Sequence, residues 1–278
     1  METNQSIIET MKIRTSVRTY DGQAIAADTL EKLNERLRTI NATTTIKARF
    51  ILGEMKDTDG NAVKKLGTYG VITGARTYLV GIIDQSETDA VQFGYLFESI
   101  VLYATQLGLG TCWLGGTFNQ EDFKKIVRLG ESEKIVIVSP VGYRKDRATL
   151  MEGIMRTMVK ANNRKPWTEL FFNQDKTQTL DEEGAGGYAI PLEMVRLAPS
   201  ASNKQPWRVI RSDTGFHFYL CRTKGYGSAS YDVQMNDLGI AKYHFEKAAD
   251  ELGLSGKWDK IDHPVVEEWE YVTSWQGN

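Results

Sequence analysis

The ten residues from Ala198 to Trp207 read A-P-S-A-S-N-K-Q-P-W, a polar stretch that contains two prolines. A helical pattern that begins at Pro191 precedes it, and the β-rich residues 208–210 follow it. We therefore expect a helix end, a polar turn and a strand at this point. Residues 205–207 are the part of the turn that leads into the strand.

A second motif, R-T-S-V-R at residues 14–18, stands about 180 residues before the first. The string A-P-S-x-x-N-x-Q-P-W resembles the flavin-contacting signature of the nitroreductase family, whose members are FMN-dependent NAD(P)H oxidoreductases. In ordinary members this signature falls near the N-terminus, shortly after an R-x-S-x-R segment. This chain resembles the family in both motifs but places them far apart.

Ordinary members of that family are homodimers with FMN at the subunit interface. One chain supplies the R-x-S-x-R side, and the other supplies the P-S-x-x-N side. A chain with the two motifs far apart resembles both halves of such a dimer fused into one polypeptide. The resemblance therefore implies an α+β, nitroreductase-like fold with two pseudo-symmetric halves, each with a mixed or antiparallel sheet flanked by helices.

The boundaries of the halves follow from composition. We predict a first half over residues 1–172 that contains the phosphate-binding elements, and a linker over residues 173–187, where acids and glycines cluster. A second, degenerate half over residues 188–278 would supply the opposite wall of the flavin site. Residues 145–165 predict a basic, helical arm at the end of the first half.

Composition restricts the class of protein. The chain has 278 residues, 41% of them hydrophobic and 25% charged, with a net charge of -2. These are globular values, and the charge gives no bulk attraction to nucleic acid or to an anionic membrane. There is no apolar run of the roughly 18 residues that a membrane span needs. Two cysteines, an acidic N-terminus and no signal sequence favour a soluble, cytoplasmic protein.

An internal sequence repeat supports the interpretation that the chain consists of two related halves. The segment from Phe93 to Trp113 recurs from Leu238 to Trp258 at a constant offset, and each copy predicts a long helix with a glycine in its C-terminal cap. The matched residues are Gly94, Ala104, Leu107, Gly108, Leu109 and Trp113, which align with Gly239, Ala249, Leu252, Gly253, Leu254 and Trp258. The alternative is chance similarity between two amphipathic helices, and the shared Gly-Leu-x-x-x-Trp ending argues against it. A weaker match aligns residues 38–52 with residues 196–210.

The two halves do not predict two equal flavin sites. The first-half counterpart of residues 199–203 is Asn41 to Thr45, which has no proline and no Q-P-W ending. The second-half counterpart of R-x-S-x-R is Leu180 to Gly184, which has three carboxylates where a phosphate requires cations. We therefore expect one FMN per chain, bound between the two halves, with a monomer already able to form the site and a higher oligomer still open.

The R-T-S-V-R motif places Arg14, Ser16 and Arg18 at alternating positions, which face the same way in an extended chain. Guanidinium groups and a hydroxyl offer donors to phosphate or carbonyl oxygens. The family resemblance implies that Arg14 and Ser16 bind the FMN phosphate and that Arg18 lies near N1 and O2 of the ring. A solvated basic strand is the alternative.

Two further segments resemble family motifs. Arg164-Lys165-Pro166 resembles a late basic pair that returns to the same phosphate, and an ordinary basic helix end is the alternative. The segment from Gly108 to Gly116 resembles G-L-G-T-C-W-x-G, in which a backbone N–H donates to flavin N5. The donor here would belong to Leu114, Gly115 or Gly116, between which the sequence does not choose. Cys112, inside this segment, is expected to be a packed small residue rather than a nucleophile.

The resemblance also assigns Pro199, Ser200 and Asn203 to the flavin wall, with a simple polar turn as the alternative. The chain departs from the family before the second strand of its first half. There many members have an Asn and a Lys that face the pyrimidine ring, so Thr68 or the main chain near Gly70 would have to substitute. The three histidines have no metal-binding spacing, and we expect no metal.

These observations lead to a functional expectation. The resemblance implies an FMN-dependent enzyme that takes hydride from NADH or NADPH and then reduces a nitroaromatic, quinone or similar small-molecule acceptor by a ping-pong mechanism. No Gly-x-Gly-x-x-Gly fingerprint is present, which fits a nicotinamide that binds only transiently at the flavin. The alternatives are a non-catalytic flavin-binding protein, for storage or sensing, and a degenerate relative that has lost flavin.

Overall fold

The computed structural model describes residues 5–55, 68, 71–145, 163–227 and 231–277. Within these ranges the chain forms two compact units. The first unit contains Ile13–Asp89 and Ser99–Lys160, and the second contains Ser6–Lys12, Ala90–Glu98 and Ala161–Asn278, each in its described part. Among the described helices, none is both long enough and apolar enough to cross a bilayer.

Eight α-helices and nine strands are described, in two groups. The first group of elements is α1 (Ile7–Ile13), α2 (Ala27–Thr43), β1 (Ala48–Glu54), β2 (Thr77–Asp84), α3 (Ala90–Gln106), β3 (Gly110–Thr111), α4 (Gln120–Lys124) and β4 (Glu133–Gly142). The second group is α5 (Trp167–Leu170), β5 (Phe171–Asn173), α6 (Glu182–Ala185), α7 (Ala189–Leu197), β6 (Trp207–Ser212), β7 (Gly215–Leu220), α8 (Val233–Glu251), β8 (Gly256–Asp259) and β9 (Glu270–Gly277), with short 3-10 turns at Gly186–Tyr188 and Ala201–Asn203.

The two sheets share one strand order. The first sheet is ordered β1-β2-β4-β3 and is antiparallel throughout. The second is ordered β5-β6-β7-β9-β8, so that β6, β7, β8 and β9 repeat the places of β1, β2, β3 and β4, and β5 is added parallel to β6. The predicted α+β fold, with one antiparallel and one mixed sheet flanked by helices, is confirmed.

The repeated helix has the predicted ending in both copies. Gly108 and Gly253 adopt φ values of +76° and +72°, which favour glycine because it has no Cβ. In each copy the N–H of the following leucine donates to the carbonyl of an alanine five residues earlier, at 2.9 Å. These bonds, Leu109 to Ala104 and Leu254 to Ala249, are the 6→1 bonds of a Schellman cap. The sequence match at these positions therefore corresponds to one repeated capping structure.

In the second unit, the start of α3 packs closely on α8 in a reciprocal way. A Cβ on Gly94 would lie 2.2 Å from the carbonyl oxygen of Asn236, and a Cβ on Gly239 would lie 2.0 Å from that of Val91. Val91 and Asn236 are themselves related by the offset that relates the two glycines. One such contact could be accidental, but a reciprocal pair is what a local two-fold arrangement of repeated helices produces.

Some predicted boundaries differ from the structure. The predicted linker, residues 173–187, does not lie between the two units but within the second, where it contains α6 and follows β5. Residues 163–172, assigned by sequence to the first half, also belong to the second unit, because β5 pairs with β6 through Phe171 and Val209. Residues 146–162 of the predicted basic arm lie outside the described residues.

Helix caps show how far local sequence determines element ends. Asn119 caps α4 as its position predicts, with its side chain accepting a hydrogen bond from the N–H of Glu121. Asp28, with Glu31 three residues later, predicts a second helix cap from sequence. This prediction is wrong, because α2 begins at Ala27 and its capping residue, Ala26, makes no side-chain bond. The acid at position 28 instead lies in the first turn, where it favours the helix dipole.

The second sheet contains a buried histidine whose protonation should affect stability. His217 is 0% exposed, and its ring nitrogens lie 2.7 Å from the hydroxyls of Ser212 and Ser274. A neutral ring satisfies both contacts, because one nitrogen can donate and the other accept. Burial lowers the pKa of His217 from 6.5 to about 4.

We expect the folded protein to lose up to about 3 kcal/mol of stability as the pH falls from 6.5 to 4, because the unfolded chain binds a proton at His217 that the folded chain excludes. Urea unfolding at pH 7 and at pH 4.5 measures this loss. In His217→Gln the loss should be smaller, since this site no longer titrates. An equal loss in the variant would contradict the role given to His217.

Candidate functional site

The R-T-S-V-R segment is held in the first unit as an extended chain. The N–H of Val17 donates to the carbonyl of Thr111 at 2.8 Å, and Thr73 donates to the carbonyl of Arg18 at 2.9 Å. Val17 is 3% exposed in the hydrophobic core, so Ser16 and Arg18 lie on the opposite face of the chain. Gly110 permits this approach, since a Cβ there would lie 2.7 Å from the Val17 side chain. The segment therefore presents its polar side chains from a fixed backbone.

Arg18 is the most informative side chain of this segment. Its Nε and Nη1 atoms are buried, and neither has a hydrogen-bond partner among the residues that the structure describes. A guanidinium group keeps its charge, and buried donors without acceptors are costly in free energy. An anion or a carbonyl-bearing ligand would remove that cost. The residues present therefore fit the FMN that the sequence leads us to expect.

The structure separates the three candidate donors to flavin N5. The N–H of Leu114 donates to the carbonyl of Val138 at 2.9 Å, and Val138 returns the bond at 3.0 Å. Leu114 is thus already engaged in a β-bridge, and its predicted role as the donor is corrected on that ground. Gly115 and Gly116 follow on an exposed stretch of chain, and they remain the predicted donors.

Other residues predicted for the first half have different surroundings. Thr68 is fully buried, and its hydroxyl accepts a bond from the N–H of Ile72 at 3.3 Å. This bond closes a turn, which gives Thr68 a structural role in addition to the predicted one. Gly70 lies outside the described residues. Cys112 is 2% exposed in the core, which confirms that it is a packed small residue.

In the second unit, residues 198–207 form the predicted helix end, turn and strand, in an unusual conformation. Ser202, Asn203 and Gln205 have φ values of 48°, 55° and 48°, which few residues other than glycine adopt. Pro199 is buried, and the hydroxyl of Ser200 accepts the N–H of Gln205 at 2.9 Å. In the first-half counterpart, residues 41–45, no backbone φ is positive. The two halves therefore differ here in conformation as well as in sequence.

The basic pair contacts this turn. Arg164 donates to the side-chain oxygen of Asn203 and, at 2.9 Å, to the carbonyl of Leu197. The N–H of Lys165 donates to the side chain of Gln205 at 2.8 Å. Two segments that the sequence assigned separately to one site thus meet within one unit. Contact of Arg164 and Lys165 with a phosphate remains a prediction.

The same contacts limit what Asn203 can offer to a ligand. Its side-chain oxygen accepts from Arg164 and, at 3.2 Å, from Gln205, and its Nδ2 donates to the carbonyl of Asn163 at 2.8 Å. An amide nitrogen has two N–H groups, and this bond uses one of them. Ser200 has more freedom, since its hydroxyl accepts the bond from Gln205 and can still donate its own proton.

Sequence reasoning missed one residue of this region. Asp237 in α8 is 2% exposed, and its two carboxylate oxygens lie 3.0 and 3.2 Å from the N–H of Ala201. Burial raises its pKa well above the ordinary value of 3.8, and the hydrogen bond from Ala201 opposes that change. A signal was present in the sequence, because this acid directly precedes Leu238, where the second copy of the repeated helix begins.

Comparison with known proteins agrees with the geometry. A family model described as "Putative TM nitroreductase" matches residues 6–249. No curated protein matches the chain in sequence. No group of three or more His, Cys, Asp or Glu side chains within the described ranges suits a metal ion.

A solved structure shows the same fold. A protein from Thermotoga maritima described as a putative nitroreductase is 18% identical, with a TM-score of 0.60, and the match covers 98% of this chain and 94% of that one. A protein from Clostridium difficile R20291 described as an FMN-dependent nitroreductase is also 18% identical, with a TM-score of 0.38 and coverage of 51% and 90%. The first of these extends over nearly the whole of both chains.

Proposed function

The chain belongs to the nitroreductase family, and on that premise we propose that it is an FMN-dependent oxidoreductase. The electron donor would be NADH or NADPH. The acceptor would be a nitroaromatic, a quinone or a similar small molecule, reduced by a ping-pong mechanism. The observation that carries the proposal is the pair of buried guanidinium nitrogens of Arg18 for which the described residues provide no acceptor.

Each group of residues would have a distinct part. When bound, FMN supplies two-electron acceptor and donor chemistry at its N5 atom. Arg14 and Ser16 would bind its phosphate, and Arg18 would place positive charge near N1 and O2, where negative charge develops on reduction. The N–H of Gly115 or Gly116 would donate toward N5. Such donors act well because they are fixed beforehand, as the bonds around Val17 and Leu114 fix these two segments.

The residues of the second unit would orient the flavin. Ser200 would donate its hydroxyl proton to the ring and Asn203 would contact the ring from the same turn, while Arg164 and Lys165 would add positive charge toward the phosphate. Free Cys112 and Cys221 are typical of a reducing compartment, and we propose a cytoplasmic location. The partner would be a small-molecule acceptor, and the monomer would be competent to bind FMN without a second chain.

Two measurements test the proposal. Flavin-free protein is titrated with FMN, and quenching of flavin fluorescence reports binding. The loaded protein is then mixed anaerobically with NADH or NADPH while the flavin absorption band is followed. Bleaching of the band supports an oxidoreductase. FMN binding without bleaching by either nucleotide would indicate a non-catalytic flavin protein, and absence of binding would contradict the whole proposal.

We expect one FMN per 278-residue chain. In the second half, acids occupy the place of the arginines: Asp181 caps α6 by accepting the N–H of Gly184 at 2.7 Å, and Glu182 and Glu183 are exposed beside it. In the first half, Asn41 bonds both backbone groups of Phe50 at 2.8 Å, which is a structural role. A phosphate beside three carboxylates is repelled by several kcal/mol even at a screened dielectric of about 20.

Titration of monomer, isolated and checked by analytical ultracentrifugation, measures this stoichiometry. Saturation at one equivalent, with affinity unchanged on dilution, is the expected result. Saturation at two equivalents would contradict the assignment of a single site. Loss of binding on dilution would place the site between chains instead.

A further inference from the structure

The turn over residues 199–205 has an unfavourable backbone conformation. Left-handed φ values at Ser202, Asn203 and Gln205 place three residues with side chains in a region that such residues rarely adopt. Strain of this kind persists only where the surroundings determine the conformation strongly, and it concentrates at functional sites. The groups that hold the turn therefore decide whether it is formed before a ligand arrives.

Several of these groups belong to the turn or its immediate neighbours. Ser200 accepts the N–H of Gln205, and the carbonyl of Ser200 accepts the N–H of Asn203 at 3.0 Å. The hydroxyl of Tyr226 donates to Ser202 at 2.8 Å. Arg164 binds Asn203. Most of these groups are half-buried or exposed, so water can compete with them.

Asp237 differs because it holds the turn from within the core. It lies in the second turn of α8, and both of its oxygens face the N–H of Ala201, the residue just before the left-handed pair. Two residues further along the helix, Gly239 packs against the backbone of Val91. Asp237 therefore projects from a helix whose position is itself fixed by close packing.

Nothing in the helix requires an acid at this position. A buried carboxyl group is costly unless it is hydrogen-bonded, and the charges that act on Asp237 include the like charge of Asp232. The balance of these effects raises its pKa, as described above. The Ala201 N–H is the contact that offsets this cost, and a hydrophobic side chain would pack in the core without it. The hydrogen bond that Asp237 accepts from the turn therefore explains why an acid stands at this position.

We propose that Asp237 is a positioning residue, which fixes the turn that presents Ser200 and Asn203 by holding the N–H of Ala201, and which thereby raises the affinity for FMN. This inference rests on the proposed function. Asp237 is not itself placed in contact with flavin. Its effect passes through Ala201, and a substitution that keeps the acceptor should keep the affinity.

Two substitutions separate the acceptor from the charge. Asp237→Asn keeps a carbonyl oxygen that can accept the Ala201 N–H, whereas Asp237→Leu has a similar size and no acceptor. Asp250→Leu is the matched control, because Asp250 lies on the same helix and pairs on the surface with Lys247 at 2.7 Å. Two quantities are measured: amide hydrogen exchange at Ala201 in flavin-free protein, and the Kd for FMN from fluorescence quenching.

In Asp237→Leu we expect Ala201 to exchange about tenfold faster and the Kd to rise about tenfold, as loss of one partly buried hydrogen bond predicts. Exchange at Val209 in β6 should not change, which separates a local effect from global unfolding. Asp237→Asn should stay within about twofold of the parent protein, because its amide oxygen restores the contact. The control Asp250→Leu should alter neither quantity.

The outcomes are distinguishable. Unchanged exchange at Ala201 in folded Asp237→Leu would overturn the inference, and so would faster exchange with an unchanged Kd. If the parent protein binds no FMN, the proposed function fails and the flavin part of the inference fails with it, while the exchange result still shows whether Asp237 holds the turn. Asn behaving like Leu would also overturn the role of the acceptor.

A second variant removes the same bond from the other side. Ala201→Pro eliminates the donor N–H, and it suits the backbone because Ser200 is extended, with φ -147° and ψ 160°, as a residue before proline prefers. Asp237 stays in place, so this variant is informative even if Asp237→Leu does not fold. A Kd for FMN raised about tenfold is expected. An unchanged Kd would overturn the proposal.

Discussion

Reversal of Arg14 and Arg18 to glutamate is expected to abolish retention of FMN while the chain still folds. The alternating positions of the motif predict that the two side chains leave the same face of the chain. Thr111 and Thr73 hold the backbone at Val17 and Arg18, and Val17 faces the core. Each reversal replaces attraction to a phosphate or a carbonyl oxygen by repulsion, which at an effective dielectric of 20 amounts to several kcal/mol for groups about 4 Å apart. We therefore expect the Kd for FMN to rise at least about a hundredfold.

The matched control is Arg128→Glu with Lys125→Glu. Both side chains are exposed in the first unit, and the pair changes the net charge by the same amount. It should bind FMN as the parent protein does, whereas the Arg14 and Arg18 variant should purify without flavin and with an unchanged circular dichroism spectrum. Full flavin occupancy in that variant would show that the assignment of this segment is wrong.

Much of the fold could be predicted from sequence because the repeated signals are local. The glycine-leucine ending shared by α3 and α8 reflects one capping structure, and the caps at Gly108 and Gly253 are confirmed. The buried residues of β2 and the apolar face of α3 likewise follow from hydrophobic pattern. The α+β architecture follows from these elements together with the family resemblance.

The unpredicted features depend on contacts between residues distant in sequence. β5 belongs to the second sheet because it pairs with β6. The sequence of Phe171–Asn173 does not indicate this pairing partner. The sequence offered the Leu114 N–H as a donor to flavin, but this N–H donates to the carbonyl of Val138, in a strand that begins about twenty residues later. The role of Asp237 depends on the contact between its carboxylate and the N–H of Ala201, which is 36 residues away in sequence.

The reciprocal contact of α3 and α8 predicts a large loss of stability on the smallest substitution. Glycine-to-alanine changes inside helices ordinarily stabilise a protein, by up to about 1 kcal/mol. At Gly239 the added methyl group would lie 2.0 Å from the carbonyl oxygen of Val91 and 2.6 Å from the N–H nitrogen of Tyr95, both backbone atoms that cannot rotate away. The helices must then separate, which weakens the contacts of the buried pair Glu98 and His244, 2.9 Å apart.

We therefore expect Gly239→Ala and Gly94→Ala each to lower the free energy of unfolding by at least about 3 kcal/mol, as overpacking between rigid elements does. Urea unfolding of flavin-free protein measures this change, so the result does not depend on the proposed function. Gly187→Ala is the control, since its methyl group would meet Leu254 at an ordinary 3.7 Å. Each glycine contacts the backbone of the residue three positions before the other glycine. The first substitution therefore already separates the helices at both contacts, and the double variant should lose less stability than the sum of the two single losses. Fully additive losses would mean that the two contacts are independent, and near-neutral single variants would contradict close packing at this crossing.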